Sequence, residues 1–400
     1  MKRIDENTAA LFEDVREEMR AQGFNSLSFA TFEKDILVTE VIGAVARAVT
    51  QPGYTPVFCG GTCLSKVFGA LERMSEDVDF KIVRDTTAPA VSKSQQRRDL
   101  GEIKQQVRQA LADLGYRAED IAWRARDGNQ YTAIELHYES LFDSGSESLR
   151  DHIQLELNCT GMQRPSVRQE VSRLIDPFLA PAARSVPMPV SCVSGIEAVT
   201  EKLISFPRRL AMAARRRERG EDTPTDPTLV RHIHDVARMM EKFPRLASKT
   251  NRLTMREMLR NLMFKDGIDF RYQHPEFVDD AHGELRYGLD LAQTDAVRAD
   301  YARFLADMVY APQARQPSFE SAMTVYRTLV ESLIDEPSPD IKARIALLEM
   351  QQHAREQAAA PKPARPRAPK RSREEWEAMQ RTRTQQTAAQ ATGSHPRPKG

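Results

Sequence analysis

Several things are scarce in this chain, and each scarcity narrows the reading. No stretch is apolar for long enough to span a bilayer. The first twenty residues are charged and lack an apolar centre, which predicts no secretory signal. Only four cysteines occur in 400 residues: Cys59, Cys63, Cys159 and Cys192. Cys59 and Cys63 have a spacing that invites zinc, but no second Cys or His pair with matching spacing accompanies them, so buried, reduced thiols are the simpler account. A surplus of charge of one sign is also missing. Lys and Arg number 58 against 57 Asp and Glu, so bulk charge names no partner. The expectation is a cytoplasmic protein of two or three structural units, with no membrane partner.

What is present is concentrated in residues 58–83, FCGGTCLSKVFGALERMSEDVDFKIV. Val57, Phe58 and Cys59 read as the end of a buried strand. Gly60 and Gly61 let the backbone turn tightly and approach a ligand. Leu64, Val67, Phe68 and Leu71 recur at helical spacing and predict a helix through Leu71. From Asp77 to Val83 the pattern alternates, placing Asp77, Asp79 and Lys81 on one side of a strand and Val78, Phe80 and Ile82 on the other. Carboxylates two residues apart on a strand project together, roughly 6–7 Å apart at Cα. Such a pair suits Mg²⁺, which reaches proteins through one or two carboxylates plus substrate phosphates. Backbone N–H groups at a helix start receive phosphate oxygens. The block therefore reads as a holder for a nucleoside triphosphate.

The same block resembles the nucleotidyltransferase superfamily, in which a small-residue pair, a helix and Asp-x-Asp follow one another. Gly60-Gly61-Thr62, Leu64-Ser65-Lys66, Arg73 and Ser75-Glu76-Asp77-Val78-Asp79-Phe80 look like the AbiEii-type toxin family of nucleotidyltransferases, relatives of the MenT toxins. Phe32-Glu33-Lys34-Asp35 resembles the family's helix start ahead of the glycine turn. Glu201-Lys202-Leu203 with Arg208 and Arg209 is similar to its Glu-Lys-Leu helix. Arg231-His232-Ile233-His234-Asp235-Val236 looks like its Arg-His-x-x-Asp-Leu element, with Val in place of Leu. The resemblance covers about residues 30–240.

The rest of the chain reads bottom-up. Residues 6–21 form a short amphipathic helix, and Phe32 to Val49 a second, with Lys34 and Asp35 as caps or surface charges. Asp85 to Arg98 is a polar insertion, followed by a helix from about Asp99 that stops at Gly115. Residues 130–138 and 151–158 are strands. Glu156 on the second is the first candidate for a third metal-binding acid, and Glu135 the second candidate. Arg164 to Val190 is a Pro-rich connector. Ser194-x-x-Glu197 is a capping box opening a helix that Pro207 is expected to kink. Arg215, Arg216, Arg217 and Arg219 read equally as cations favoured by a helix C-terminus or as contacts for an RNA backbone. His232 and His234 diverge at i, i+2 on a helix and make no metal site together. From Arg245 to about Arg355 the stripes Met255-Met258-Leu259-Leu262, Tyr301-Phe304-Leu305-Met308 and Ile341-Ile345-Leu348 read as helical core. The tail from Ala358 is basic and too poor in apolar residues to fold, apart from a short helix over Glu374 to Arg383.

The expected fold is α/β (α+β): a mixed-sheet domain over 1–190, a helical bundle over 191–356 that closes a cleft, and a disordered basic tail over 357–400. The resemblance implies transfer of a nucleoside monophosphate from an NTP, with Mg²⁺ or Mn²⁺ on Asp77, Asp79 and Glu156. It implies phosphate contacts from Gly60, Gly61, Thr62, Ser65, Arg73 and Ser75, and catalytic work by Asp77, Asp79, Lys202 and Asp235. Asp235 would orient Lys202 or activate the acceptor hydroxyl. It further implies a toxin in phage defence whose acceptor is RNA, foremost the 3′ end of tRNA, with a cognate antitoxin encoded nearby. The alternatives are a protein or small-molecule acceptor, or a non-catalytic binding protein of the same fold.

Overall fold

A computed structural model describes residues 1–25, 27–143, 149–224, 226–334, 337–359 and 373–391. In chain order the main elements are α1 (Glu6–Ala10), α2 (Phe12–Ala21), α3 (Phe29–Ala48), β1 (Tyr54–Cys59), α4 (Gly60–Phe68), β2 (Asp77–Arg84), α5 (Lys93–Asp113), β3 (Ile121–Arg126), β4 (Tyr131–His137), β5 (His152–Asn158), β6 (Val167–Val171) and β7 (Met188–Cys192). Helices then follow: α6 (Gly195–Glu218), α7 (Arg231–Lys242), α8 (Lys249–Asp269), α9 (Pro275–Asp279), α10 (Ala281–Leu291), α11 (Asp295–Met308), α12 (Phe319–Leu333), α13 (Ile341–Ala359) and α14 (Arg373–Ala391). The fold is α/β. Residues Met1–Arg344 form one compact unit and Ile345–Gly400 a second.

The seven strands make one mixed sheet in the order β3-β4-β5-β2-β1-β7-β6. β2 pairs antiparallel with β1 and parallel with β5. This register sets Cys59 opposite Asp79, and Asp79 opposite Glu156. Residues opposite one another share a face of the sheet, so Asp79 and Glu156 rise from neighbouring strands on the same side. The alternation read in residues 77–83 is the one observed: Val78, Phe80 and Ile82 are buried beneath, and the acids stand above.

Three local expectations are corrected. The helix after the glycines ends at Phe68 rather than Leu71, because Gly69 enters the left-handed region at φ 55°. Ala70 and Leu71 are buried in a loop, and that loop is strapped to the end of α11 by Met74 N–H to the Met308 carbonyl at 2.8 Å and Tyr310 N–H to the Glu72 carbonyl at 3.0 Å. Helix α5 begins at Lys93, capped by the Ser92 hydroxyl, inside the stretch expected to be a polar insertion. The Pro-rich connector holds two strands, β6 and β7, which pair with each other and extend the sheet from β1. Helix α6 runs through Pro207 as one element, and α10 comes in close against it. A Cβ on Gly288 would lie 2.0 Å from the Pro207 carbonyl oxygen.

The first two helical stripes are core: Met255, Met258, Leu259, Leu262, Tyr301, Phe304 and Met308 are buried. In the third stripe only Ile341 is buried, and Leu348 is exposed. The tail was expected to lack structure beyond a short helix, yet α14 covers Arg373–Ala391 around the exposed Trp376 and Met379. The other tail cations, Lys362, Arg365, Arg367, Lys370 and Arg371, lie outside the described residues. No described helix is long and apolar enough to cross a membrane.

Candidate active site

Helix α3 builds the support from below. Lys34 and Asp35 were expected as caps or surface charges, but both are buried, as is Glu33 beside them, and each holds backbone outside the helix. Glu33 accepts from Leu141 N–H at 2.9 Å and from the Ser140 hydroxyl. Lys34 donates to Glu76 at 2.5 Å and to the Arg150 carbonyl at 2.6 Å. Asp35 accepts from Lys66 at 2.6 Å and from Leu174 N–H at 2.6 Å. The cap of α3 is instead the Ser28 hydroxyl, on Thr31 N–H. Lys34 and Asp35 are buried as ion pairs with Glu76 and Lys66, and Glu33 is satisfied by hydrogen bonds. Together they fix loops around the Asp strand.

The glycine pair has one neighbour for each residue. Gly60 sits at φ 76°, and a Cβ there would lie 2.0 Å from Asp79 Oδ2. At Gly61 a Cβ would lie 2.8 Å from Arg73 Nη2. The missing side chains therefore make room for a carboxylate and a guanidinium. Thr62 and Ser65, expected at the phosphate, turn their hydroxyls elsewhere. Thr62 is fully buried and donates to the Asp77 carbonyl, its oxygen 2.9 Å from Ser75 Oγ, and Ser65 donates to the Arg73 carbonyl at 2.8 Å. Both brace the loop into β2.

A cleft of about 270 Å³ opens over these residues. Gly60, Gly61, Ser75, Asp77 and Asp79 form one wall, and Lys202, Arg209 and Arg231 come from the helices opposite. Asp235 is fully buried behind that wall. Arg73 Nε and Nη2 grip its two oxygens at 2.7 Å each, and Lys202 Nζ reaches Oδ2 at 2.9 Å. Burial alone would raise this carboxyl, but the Arg73 and Lys202 charges hold it well below the usual carboxylate range. A carboxylate so engaged is fixed against Arg73 and Lys202 and is a weaker base than a free one. Lys81, on the acid face of β2, ties α6 to the sheet through Glu197 at 2.8 Å and Glu201 at 2.5 Å.

Negative charge is crowded at the strand. Burial first, then the Asp77 and Glu156 charges, push Asp79 up to about 8. Burial also raises Glu156, tempered by its hydrogen bond with Tyr131. A divalent cation would relieve this crowding, and the space that Gly60 leaves keeps Asp79 free to face it. The donor set is hard oxygen, as Mg²⁺ requires. Among the described residues no three His, Cys, Asp or Glu side chains converge as a metal cluster, so the pair Asp77 and Asp79 fits a cation that completes its shell with phosphate oxygens. Glu135 stands one strand further out and is paired with Arg124 at 2.7 Å.

Two arginines at the site escaped the sequence reading. Arg150 Nη1 holds Asp77 Oδ1 at 2.6 Å, and Arg231 Nη2 lies 3.7 Å from Asp77 Oδ2. Arg231 stood inside a quoted motif, but only the fold turns it toward Asp77. Arg150 had no signal beyond its place just before β5. His232 lines the cleft, whereas His234 packs its ring on Phe304 at 5.3 Å. The arginines at the end of α6 are largely spent on protein: Arg215 pairs with Glu284 at 2.8 Å, Arg216 with Glu221 at 2.7 Å and Arg219 with Glu276 at 2.7 Å.

The profile of one protein family, described as "Nucleotidyl transferase AbiEii toxin, Type IV TA system", matches residues 47–325. The chain belongs to the AbiEii family. It is a nucleotidyltransferase, and the match runs well past the end of the resemblance read from motifs. Membership brings an NTP co-substrate, a divalent cation and an antitoxin partner. Among solved structures the chain is similar to MenT4, a nucleotidyltransferase toxin from Mycobacterium tuberculosis, at 17% identity and a TM-score of 0.47, over 88% of this chain and 97% of that one. No curated protein matches it significantly.

Proposed function

We propose that this AbiEii enzyme transfers a nucleoside monophosphate from an NTP to a hydroxyl of RNA, foremost the 3′ end of tRNA, and that it acts as a toxin restrained by an antitoxin encoded nearby. The observation that carries the reading is one cleft holding Asp77, Asp79 and Gly61 on one wall and Lys202 and Arg231 on the other. Amides at the start of α4, with the Ser75 hydroxyl, would receive phosphate oxygens. Lys202, Arg209 and Arg231 would neutralise the departing pyrophosphate. Asp77 and Asp79 would hold Mg²⁺. Bound there, the ion would stabilise charge on the reacting phosphate. The acceptor oxygen attacks the α-phosphorus, the bond to the β-phosphate oxygen breaks, and pyrophosphate leaves in line. Glu156, its carboxyl raised by burial and set beside Asp79, is the candidate to take the hydroxyl proton.

Incubation with each labelled NTP, Mg²⁺, and either tRNA or cell lysate tests this. Label in tRNA, abolished by Asp77→Ala or Asp79→Ala, is the expected result, and the same substitutions should relieve growth arrest on induction. Label found only in protein or small molecules would overturn the RNA acceptor.

A further inference from the structure

A second cavity, of about 420 Å³, opens on the other side of Asp79. It shares Gly60, Asp79, Glu201 and Ser205 with the first, so the two meet at two carboxylates. Their chemistry differs. The first is lined by four cations suited to polyphosphate, Arg73, Lys202, Arg209 and Arg231, although Arg73 and Lys202 share Asp235 and Arg209 meets Asp226 at 2.8 Å. In the second every cation is paired with a carboxylate: Lys81 with Glu201 at 2.5 Å, Arg208 with Asp266 at 2.7 Å, and Lys265 with Asp269 at 2.6 Å. Beside Asp79 and Glu156 at its edge, the groups left to meet a ligand are Asn158, Thr160 and Gln163 from the end of β5 and the loop after it, and Ile204, Leu262 and Phe270 from the helices.

Arg208 stacks on Phe270, its Cζ 4.1 Å from the ring centroid. Arg208 is 5% exposed, and its Nη1 makes no hydrogen bond among the described residues. A cation layered on an aromatic ring, beside carboxamides that both donate and accept, fits a flat heterocycle with a mixed hydrogen-bonding edge. Base–aromatic stacking tolerates any base, and amide side chains read base edges.

We propose that this second cavity is a nucleobase subsite, with the base against the Phe270–Arg208 layer and its edge toward Asn158 and Gln163. The proposal rests on the nucleotidyl-transfer reading above. In that reaction pyrophosphate departs on one side of the α-phosphorus, so the nucleosides lie outside the cleft that holds it. Two nucleosides meet the condition, that of the NTP and the terminal one of the RNA acceptor, and both present the same chemistry.

The test uses the full chain and its Phe270→Leu and Asn158→Ala variants, each first shown by thermal melting to be folded. Three quantities are measured: affinity for the four NTPs with Mg²⁺, affinity for inorganic tripolyphosphate, and KM for tRNA. Tripolyphosphate carries no base and reads the first cleft alone. A loss of about tenfold in NTP affinity with tripolyphosphate binding unchanged supports the subsite and assigns it to the NTP. Unchanged NTP affinity with a raised KM for tRNA supports it and assigns it to the acceptor. Folded variants unchanged in all three overturn it. Should tripolyphosphate fail to bind the wild type while NTP affinity still depends on Phe270, the phosphate reading falls and the nucleobase subsite stands.

Discussion

Arg73 grips both oxygens of Asp235 at 2.7 Å, and through that grip the loop ahead of the Asp strand is locked to α7. Both side chains are at most 1% exposed. Replacing Asp235 by Asn keeps the shape but removes the charge that neutralises Arg73 and Lys202. Breaking a buried pair while its partner stays costs about 3–5 kcal/mol. Asp235→Asn is therefore expected to lower stability by about that amount in denaturant melts. It should also cut kcat more than it raises KM for NTP, since Lys202 would lose its anchor while the rest of the cleft stands. Unaltered kcat in a folded variant would remove Asp235 from the positioning of Lys202.

The same pair predicts an acid limb. Asp235 is held well below its ordinary 3.8, facing Arg73, Lys202 and His234, with Arg231 nearby on α7. A depressed carboxyl contributes stability above the unfolded value, and that contribution is lost as pH falls through the folded value. Burial keeps His232 and His234 below the ordinary 6.5, which works in the same direction from a higher pH. The contribution of these three groups should thus begin to fall below about pH 6.5 and continue falling below pH 4, against an opposing gain from Asp79, whose carboxyl, raised to about 8, favours the folded state as pH falls from about 8 to 4. Asp235→Asn should lose the lower part of the limb and keep the upper. A variant with an acid limb identical to that of the parent would count against the assignment.

How much of this was legible beforehand follows from the range of each signal. The acids of β2 announced themselves by alternation, and the glycine turn by composition, because both are local patterns. Lys202 and Asp235 look like ordinary helix residues on their own, and only the family resemblance lifted them out. Lys34 and Asp35 were misread because charge near a helix start usually means solvent, and their partners Glu76 and Lys66 lie far along the chain. The strands β6 and β7 were hidden by prolines, although β6 is an edge strand and β7 carries Pro189 opposite Glu170 in the pairing of those two strands. Arg150 could be found only once the register of β5 against β2 was known.

Gly60 offers a test of close approach. An added methyl would meet Asp79 Oδ2 at 2.0 Å and would also sit at φ 76°. The positive φ alone costs about 1–3 kcal/mol. Gly220, at φ 81° with nothing within 4 Å of its would-be Cβ, isolates that strain. Gly60→Ala should lose activity by about 10²-fold through displacement of the carboxylate, while Gly220→Ala should lose only stability. Equal activity in the two variants would mean that the Asp79 contact does not matter.

Lys202 separates chemistry from architecture. Its carboxylate partner keeps both bonds to Arg73 when the lysine is cut back, so Lys202→Ala should fold. Removing one preorganised charge aimed at the transition state costs about 10²–10³ in kcat. Pyrophosphate release measured with saturating NTP and tRNA reads this directly. Turnover within twofold of the parent would show the lysine to be a strut for α7 rather than a phosphate group's partner.

The Lys34–Glu76 pair should matter to the fold far more than to the chemistry. The side chains are 0% and 5% exposed and meet at 2.5 Å, with Arg150 N–H adding 3.1 Å to the same Glu76 oxygen. Lys34→Met strands a buried carboxylate and should cost about 3–5 kcal/mol. Adding Glu76→Met removes that stranded charge, so the double variant should recover part of the loss. A double-mutant cycle in urea measures the coupling. If the two single losses simply add, the pair does not act as a unit, and the support that α3 gives to the Asp strand comes from its apolar packing instead.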